Sequence, residues 1–403
     1  MAMRTMEWAY NKLPKTEDGR LRLMSETQVR KAKAFHESFP QYKATPLVGL
    51  GEMAKLLGVG GIYVKDESYR FGLNAFKVLG ASYAMARYIA KETGRDVADL
   101  PFRVLTGERM REKFGQATFF TATDGNHGRG VAWAANQLKQ KAVVFMPKGS
   151  TQTRLENILK ENATATIEDA NYDECVRMAA DAAAATPRGV VVQDTAWEGY
   201  EEIPAWIMQG YGTMALEASK QLFDREVRCP THIFIQAGVG SLAGAVQGFF
   251  ANIHPKHPPK VVVVEADMAA CLYKSCKVGD GSMYHVVGDM QTIMAGLACG
   301  RPNTISWDIL RNHVDTFLCA PDWVAAKGMR MLAAPRKGDA PITSGESGAV
   351  GFGAFAVIMT MDAYRPLREH LGLGADSQVL FFSTEGDTDP ERYKAIVWDA
   401  LDF

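Results

Sequence analysis

Short apolar runs rich in valine, isoleucine and phenylalanine alternate with longer helical segments along almost the whole chain, and this alternation constrains the fold most strongly. Several of the runs are continuously hydrophobic, as is typical of strands covered on both faces. The candidate strands are residues 61–67, 117–123, 141–147, 190–195, 232–238, 260–267 and 379–386. The pattern predicts an α/β fold with open, mostly parallel sheets.

The length of 403 residues exceeds the usual ~100–200 residues of one domain, which predicts two domains. The sequence contains no internal repeat and no long linker, so the boundaries must fall in tight connections. We place a smaller α/β domain at residues 85–200, inserted into a larger domain formed by residues 1–84 and 201–403. In open parallel sheets, ligands bind beyond the carboxyl ends of the strands, so the loops after the apolar runs are the candidate sites.

Charge and composition exclude several classes of protein. Lysine plus arginine number 45 and aspartate plus glutamate 46, without blocks of like charge, which argues against nucleic acid or an anionic membrane as partner. No apolar run approaches the roughly 18 residues of a spanning helix, and the first residues lack the apolar core of a signal peptide, so we expect a cytoplasmic protein. The six cysteines and eight histidines lack metal-site spacing, so we expect no metal.

A glycine-rich loop, residues 237–244, follows the apolar run that ends at 236 and opens a helix. Glycines let main-chain N–H groups approach a ligand, and a helix N-terminus favours an anion, so the loop has the form of a phosphate site. The same loop also satisfies the dinucleotide pattern at Gly238, Gly240 and Ala243, with Glu265 as a candidate ribose-binding acid. The loop alone therefore leaves a nicotinamide-dependent oxidoreductase open.

Two further segments carry candidate chemistry. The loop 121–128 places Asp124 and Asn126 directly after a predicted strand, where a polar residue could cap the next helix or contact a ligand. Lys77 lies in an apolar stretch behind Phe76, and a lysine there either extends to solvent or is held as an amine that can form a Schiff base. An amine, a phosphate loop and a polar donor together are what pyridoxal phosphate requires.

These segments, in this order, resemble the fold-type II pyridoxal-phosphate enzymes, whose fold is like that of the tryptophan synthase β subunit. The matching segments are Phe76-Lys77, residues 124–128, Gly238 to Leu242, Glu346 to Ala349 and Ser383-Thr384. The resemblance implies that Lys77 holds pyridoxal 5'-phosphate as a Schiff base. It implies further cofactor contacts from Phe76, Asn126, Gly238, Val239, Gly240, Ser241, Leu242, Glu346 and Thr384.

Within that family the sequence is most similar to ammonia-lyases that act on 2,3-diaminopropionate, on the segments at 74–84, 123–135, 191–211 and 344–354. The resemblance implies elimination of ammonia from either enantiomer, giving pyruvate and two ammonia molecules. Lys77 would be the base on one face of the cofactor. Asp124, which stands where dehydratases commonly have serine, would be the base on the other face. Asp194 would contact the substrate's β-ammonium group, although it could instead cap the segment that follows it.

Several alternatives stay open. A serine, threonine or D-serine dehydratase would share Lys77 and Asn126 but release one ammonia per 2-oxoacid. The nicotinamide oxidoreductase would have no use for Lys77, and a binding protein of the same fold would show no turnover. The family is generally oligomeric, so we expect a homodimer. Cys271 and Cys299 fall in loops that could border the site, which raises the hypothesis of a redox-sensitive pair.

Overall fold

The computed structural model describes residues 4–17, 19–123 and 125–401, which form two compact α/β units. The larger unit contains the described parts of residues 1–26, 44–69 and 214–403. The smaller unit contains residues 27–43 and the described parts of residues 70–213.

Each unit is built on its own sheet, and the parallel pairing confirms the predicted fold class. The strands, in chain order, are β1 (Glu7–Tyr10), β2 (Leu47–Gly49), β3 (Gly61–Asp66), β4 (Thr118–Ala122), β5 (Lys141–Met146), β6 (Thr164–Ile167), β7 (Gly189–Val191), β8 (His232–Gln236), β9 (Lys260–Ala266), β10 (Thr316–Ala320) and β11 (Gln378–Ser383). The larger sheet has the order β1-β10-β9-β8-β11-β3-β2, and only its edge strands β1 and β2 are antiparallel to their neighbours. The smaller sheet, β6-β5-β4-β7, is parallel throughout.

Helices connect the strands along the described chain. They are α1 (Glu26–Glu37), α2 (Gly51–Leu57), α3 (Val78–Thr93), α4 (Phe102–Leu105), α5 (Glu108–Phe114), α6 (Asn126–Gln137), α7 (Gln152–Leu159), α8 (Tyr172–Ala185), α9 (Glu202–Phe223), α10 (Ser241–Ile253), α11 (Cys271–Val278), α12 (Thr304–His313), α13 (Asp322–Ala333), α14 (Glu346–Thr360), α15 (Arg365–Leu371) and α16 (Pro390–Val397). Short 3₁₀ helices lie at Leu21–Met24, Glu67–Gly72, Val97–Asp99, Asp267–Ala269, Ala295–Leu297 and Asp362–Tyr364.

The division of the chain differs from the predicted insertion at 85–200, because residues 27–43, 70–84 and 201–213 also lie in the smaller unit. Buried His36 of α1 shows why. Its Nε2 lies 3.0 Å from the carbonyl oxygen of Leu79, which can only accept, so Nε2 carries the proton. Its Nδ1 then accepts from the hydroxyl of Thr213 at 2.8 Å. One side chain thus joins α1, α3 and α9, a long-range contact that local sequence patterns do not reveal.

The core of the larger unit explains why its central strands read as continuous apolar runs. Every residue of β8 and β10 is buried, and an aromatic cluster links β8 and β11 to α14. Phe234 and Phe381 contact Phe355 at ring-centroid distances of 5.5 and 5.3 Å, and Phe352 lies 5.4 Å from Phe381. This packing fixes the strands whose carboxyl ends carry the candidate site.

Within the described residues, no single helix is long and apolar enough to cross a membrane. Only α14 and the helical segment Asp362–Leu371, taken together across a bend of 98°, have the length and composition of a membrane span.

Candidate active site

The smaller unit brings Lys77 and Asp194 together. Lys77 is the residue before α3, and Asp194 follows the end of β7. The Nζ of Lys77 forms a hydrogen-bonded ion pair with Oδ2 of Asp194, and the two side chains are only 20% and 11% exposed. The hydroxyl of Tyr211, on α9, donates to the same oxygen at 3.4 Å. Two of the predicted catalytic residues therefore meet, 117 positions apart in the sequence.

Aromatic rings surround the amine of Lys77. Its Nζ lies 5.4 Å from the ring centroid of Phe76 and 5.9 Å from that of Tyr211, within the range of a cation–π interaction. The two rings lie 4.7 Å apart. Phe76 thus forms part of the wall of the lysine site, and its contact with the cofactor stays a prediction.

The carboxyl group of Asp194 is held in its charged form. Burial raises its pKa, but the charges of Lys77 and His127 and the hydrogen bonds from Lys77 and Tyr211 outweigh burial and bring the pKa to about 2. Burial raises the pKa of Tyr211, so its hydroxyl stays protonated and can donate. At neutral pH the site therefore presents a carboxylate that attracts an ammonium group.

Glycines allow the close packing that positions Lys77. A Cβ atom at Gly80, in the first turn of α3, would lie 2.6 Å from side-chain atoms of both Ile207 and Tyr211 on α9. A Cβ atom at Gly210 of α9 would lie 2.3 Å from the carbonyl oxygen of Leu79. The two helices therefore approach closely only because both positions lack a side chain.

We expect Gly80→Ala to weaken the site and the fold together. The added methyl group has to displace Ile207 or Tyr211, and overpacking of this kind costs about 1–3 kcal/mol. The melting temperature and the affinity for the cofactor should both decrease. Gly51→Ala is the control, because nothing lies within 4 Å of a Cβ atom there. Equal melting temperatures and equal cofactor affinity for the two variants would contradict the argument.

The loop before α6 holds two further predicted positions. Asn126 is the first residue of α6, at the carboxyl edge of the smaller sheet, and His127 follows it. The Nε2 of His127 donates to the carbonyl oxygen of Val192 at 2.9 Å, which ties this loop to the segment that leads to Asp194. Asp124 lies outside the described residues, so its predicted role as a base stands on the sequence alone.

The larger unit forms the predicted glycine-rich turn between β8 and α10. Gly240 has a φ of +101°, and a Cβ atom there would lie 2.8 Å from the hydroxyl oxygen of Ser306, so both the conformation and the space require glycine. The N–H of Asn303 donates to the carbonyl oxygen of Val239, and its side-chain amide donates to the hydroxyl of Ser241, both at 2.8 Å. Asn303 thus holds the turn in place.

Thr384 lies at the same edge of the larger sheet, because β11 runs beside and parallel to β8. Its hydroxyl accepts a hydrogen bond from the side-chain amide of Gln236 at 2.7 Å, and that amide also donates to the carbonyl oxygen of Phe382 at 2.9 Å. The neighbouring hydroxyl of Ser383 is instead bonded to that of Ser344 at 2.8 Å. The geometry therefore favours Thr384 over Ser383 as the residue that can donate to a ligand.

Glu346 begins α14, and its carboxylate lies 3.3 Å from Nε of Arg392. The next main-chain N–H, that of Ser347, donates to Oε1 of Glu385 at 3.1 Å, so Glu385 contributes a cap to this helix. Glu346 is thus at the predicted place but in an ion pair, and its cofactor contact remains a prediction.

Glu265 does not fill the role that the nicotinamide alternative gave it. Its carboxylate oxygens accept the N–H groups of Leu272 and Tyr273 at 2.8 and 2.6 Å, which caps the start of α11. Burial raises its pKa to about 8. A side chain enclosed in this way, 1% exposed, cannot bind a ribose.

The remaining expectations concern cysteines and metals. No disulfide joins Cys271 and Cys299 in the structure, and the Sγ of Cys271 lies 3.5 Å from the carbonyl oxygen of Cys299. Burial raises the pKa of the Cys271 thiol. Among the described residues, no group of three or more histidine, cysteine or acidic side chains could hold a metal ion.

The donor groups fit pyridoxal phosphate. The cofactor needs an amine for its aldehyde, N–H donors for its phosphate and polar partners for its ring. Lys77 supplies the amine. The turn at Gly240 leads into the first turn of α10, whose N–H groups have no acceptor within the helix. Thr384 supplies a hydroxyl whose oxygen accepts from Gln236, which leaves the hydroxyl proton able to donate.

Comparison with known proteins establishes the class. Residues 39–366 match the family of pyridoxal-phosphate dependent enzymes, so the chain belongs to that family and its cofactor is pyridoxal 5'-phosphate. It is 53% identical over 367 residues to diaminopropionate ammonia-lyase of Salmonella typhimurium, covering 91% of each chain.

Two solved structures are similar over nearly the whole chain. Diaminopropionate ammonia lyase from Escherichia coli in complex with D-serine has a TM-score of 0.90 at 45% identity, covering 98% of this chain and 97% of that one. The same enzyme in complex with an aminoacrylate-PLP azomethine reaction intermediate has a TM-score of 0.88 at 45% identity, covering 99% and 98%.

Sequence reasoning missed several residues that shape the site. Tyr211 and Gln193 lie beside Asp194, Gln236 orients Thr384, and Asn303 supports the glycine turn. For two of these residues the sequence contained a signal. Gln193 is a polar residue at the end of an apolar run, and Asn303 stands in front of a helix as N-cap residues do. Tyr211 lies between two glycines of an apolar helix, where only the three-dimensional packing shows its role.

Proposed function

We propose that this protein is a diaminopropionate ammonia-lyase that converts both enantiomers of 2,3-diaminopropionate to pyruvate and two ammonia molecules. The observation that carries the proposal is the Asp194 carboxylate, held charged beside the amine of Lys77. A site that must accept a substrate with two amino groups needs such a carboxylate, whereas serine and threonine carry a neutral hydroxyl in the same place. The 53% identity to the Salmonella enzyme supports it.

The cofactor contacts follow from the donor groups of each unit. Lys77 would hold the aldehyde of the cofactor beside the ring of Phe76, and Asn126 would donate to the ring oxygen. The N–H groups of Gly238, Val239, Gly240, Ser241 and Leu242 would bind the phosphate, while Thr384 and Glu346 would contact the ring. When bound, pyridoxal phosphate draws electrons from the Cα atom of the amino acid and makes its proton acidic.

The roles of Lys77 and Asp194 follow from their charges. Lys77 would hold the cofactor, and its Nζ, when it is not bonded to the cofactor, would take the Cα proton of the substrate from its own face. Asp194 binds the β-ammonium group in place of the Lys77 ammonium. Because the carboxylate keeps the β-amine protonated, this amine departs as neutral ammonia when the Cβ–N bond breaks. The unsaturated amino acid that remains rearranges to an imine, and hydrolysis of this imine gives pyruvate and the second ammonia.

The opposite enantiomer presents its Cα proton to the other face, and we propose that Asp124 removes it. We expect Asp124→Asn to reduce kcat/KM for D-diaminopropionate about 100-fold or more, while the L enantiomer retains most of its activity. The measurement is pyruvate formation from each enantiomer with the variant loaded with cofactor. Equal losses for the two enantiomers would contradict the two-base assignment.

The product balance tests the proposed function. The cofactor-loaded protein is incubated separately with D- and L-diaminopropionate, serine and threonine, without nicotinamide, and 2-oxoacid and ammonia are both measured. We expect one pyruvate and two ammonia from each enantiomer. Product from serine or threonine alone, with one ammonia per 2-oxoacid, would make the protein a dehydratase. The absence of product from every substrate would favour a binding protein.

We also propose that the protein acts as a homodimer in the cytoplasm. All six cysteines are free thiols, which supports a reducing compartment. The molar mass in solution, measured by light scattering, tests the oligomeric state: twice the chain mass of 44.2 kDa is expected, and the monomer mass would contradict it.

A further inference from the structure

The strand that leads to Asp194 ends before its neighbour does. β7 ends at Val191, and the last main-chain hydrogen bond to β4 runs from the N–H of Val192 to the carbonyl oxygen of Phe120 at 2.8 Å. β4 continues to Ala122. There the side chain of Gln193 takes the place of a strand, since its Nε2 donates to the Ala122 carbonyl oxygen at 2.9 Å and its Oε1 accepts from the Ala122 N–H at 3.3 Å.

The remaining hydrogen-bonding groups of this amide are also used. Its Oε1 accepts from the hydroxyl of Thr121 at 2.7 Å, and its Nε2 lies 2.5 Å from the hydroxyl oxygen of Tyr172. Gln193 is 2% exposed. Because a carbonyl only accepts and an N–H only donates, the backbone of Ala122 determines which end of the amide is oxygen. The side chain therefore has one orientation.

Other side chains fix the backbone around Gln193. The N–H of Gln193 donates to the hydroxyl oxygen of Tyr200 at 2.8 Å, and that hydroxyl donates to the carbonyl oxygen of Val191 at 3.0 Å. On the other side, His127 bonds the carbonyl oxygen of Val192. The three residues before Asp194 are thus each held by hydrogen bonds, and Asp194 comes directly after this fixed segment.

We propose that Gln193 is a positioning residue that places the Asp194 carboxylate against the Nζ of Lys77, and thereby determines how well the site accepts the β-ammonium group. The inference rests on the proposed role of Asp194. Without the amide, the backbone of Ala122 loses its partner and the segment that carries Asp194 is released from β4. The effect should therefore concern the charged substrate group more than the amino-acid part that serine shares.

The test is a double-mutant cycle measured with two substrates. Gln193→Met keeps the length of the side chain but removes its hydrogen bonds. We expect kcat/KM for diaminopropionate to decrease about 10- to 100-fold, with a smaller loss for serine. In a protein that already carries Asp194→Asn, the same change should cost less than about threefold, because the charge it positions is gone. Equal losses in both backgrounds and for both substrates would assign Gln193 a merely structural role.

Two further variants keep the test decisive. Tyr200→Phe removes only a hydroxyl. We expect it to reduce kcat/KM for diaminopropionate about 3- to 10-fold, again with a smaller loss for serine. The proposal can therefore be tested even if Gln193→Met does not fold. Gln152→Met, on the exposed side of α7, is the matched control and should leave kcat/KM unchanged. If Asp194→Asn alone fails to discriminate between the substrates, the proposed role of Asp194 is wrong. If it discriminates and both positioning variants do not, only the role of Gln193 is wrong.

Discussion

Replacing Lys77 with alanine should abolish turnover of diaminopropionate, with a loss in kcat of about 10⁴-fold or more. The substitution removes both the group that holds the cofactor aldehyde and the base for the Cα proton. It also leaves the carboxylate of Asp194 without its ammonium partner, so Lys77→Arg is a necessary companion variant. Arginine keeps the positive charge, but its guanidinium group does not form a Schiff base.

The two Lys77 variants should therefore differ in stability, but both should lack activity. We expect Lys77→Arg to melt closer to the unmodified protein than Lys77→Ala does, with neither supporting turnover. The matched control is Lys91→Ala on α3, the helix that follows Lys77, because the exposed ion pair of Lys91 with Glu202 contributes little. Substantial pyruvate formation by Lys77→Arg would contradict the assignment of Lys77.

Asp194→Asn should reduce kcat/KM for diaminopropionate about 100-fold or more, because the β-ammonium group loses a partly buried charge partner. Serine has no β-ammonium group, so its kcat/KM should decrease much less, and the ratio of the two values is the decisive measurement. Asparagine has nearly the shape of aspartate, which limits the disturbance to the charge and its hydrogen bonds.

A second aspartate in the smaller unit provides the control for this experiment. Asp96 also pairs with a lysine, Lys31, but its side chain is 49% exposed, so Asp96→Asn should leave both substrates unaffected. An equal loss on serine and diaminopropionate in Asp194→Asn would contradict recognition of the β-ammonium group and would favour a role in holding Lys77 alone.

Much of the fold was predictable from local patterns. The continuous apolar runs marked most of the buried parallel strands, including β8 and β9, because burial on both faces leaves a signal within the run itself. The parallel strands β6 and β10 were missed, although every residue of β10 is buried. The antiparallel edge strands β1 and β2 were missed, since short edge strands carry neither a long apolar run nor a regular alternation. The predicted strand 190–195 was too long, because beyond Val192 the Gln193 side chain replaces backbone pairing.

The site was predictable only in its separate parts. The glycine turn at Gly240 could be recognised because its conformation requires a particular residue type. The pairing of Lys77 with Asp194 could not, since it joins two residues 117 positions apart, one before α3 and the other after β7. Glu265 shows the opposite error, because an acid at the end of a strand has the same local pattern whether it binds a ribose or caps a helix.

The most direct test of the central claim locates the cofactor on the chain. Borohydride reduction of the loaded enzyme fixes the cofactor to the lysine that holds it, and peptide mapping by mass spectrometry identifies that lysine. We predict a single label on Lys77. Among the described residues, Lys65 is a fully buried alternative, but its Nζ lies 2.6 Å from the carboxylate of buried Glu217, so its amine is committed to an ion pair. A label on Lys65, or on any lysine other than Lys77, would contradict the account.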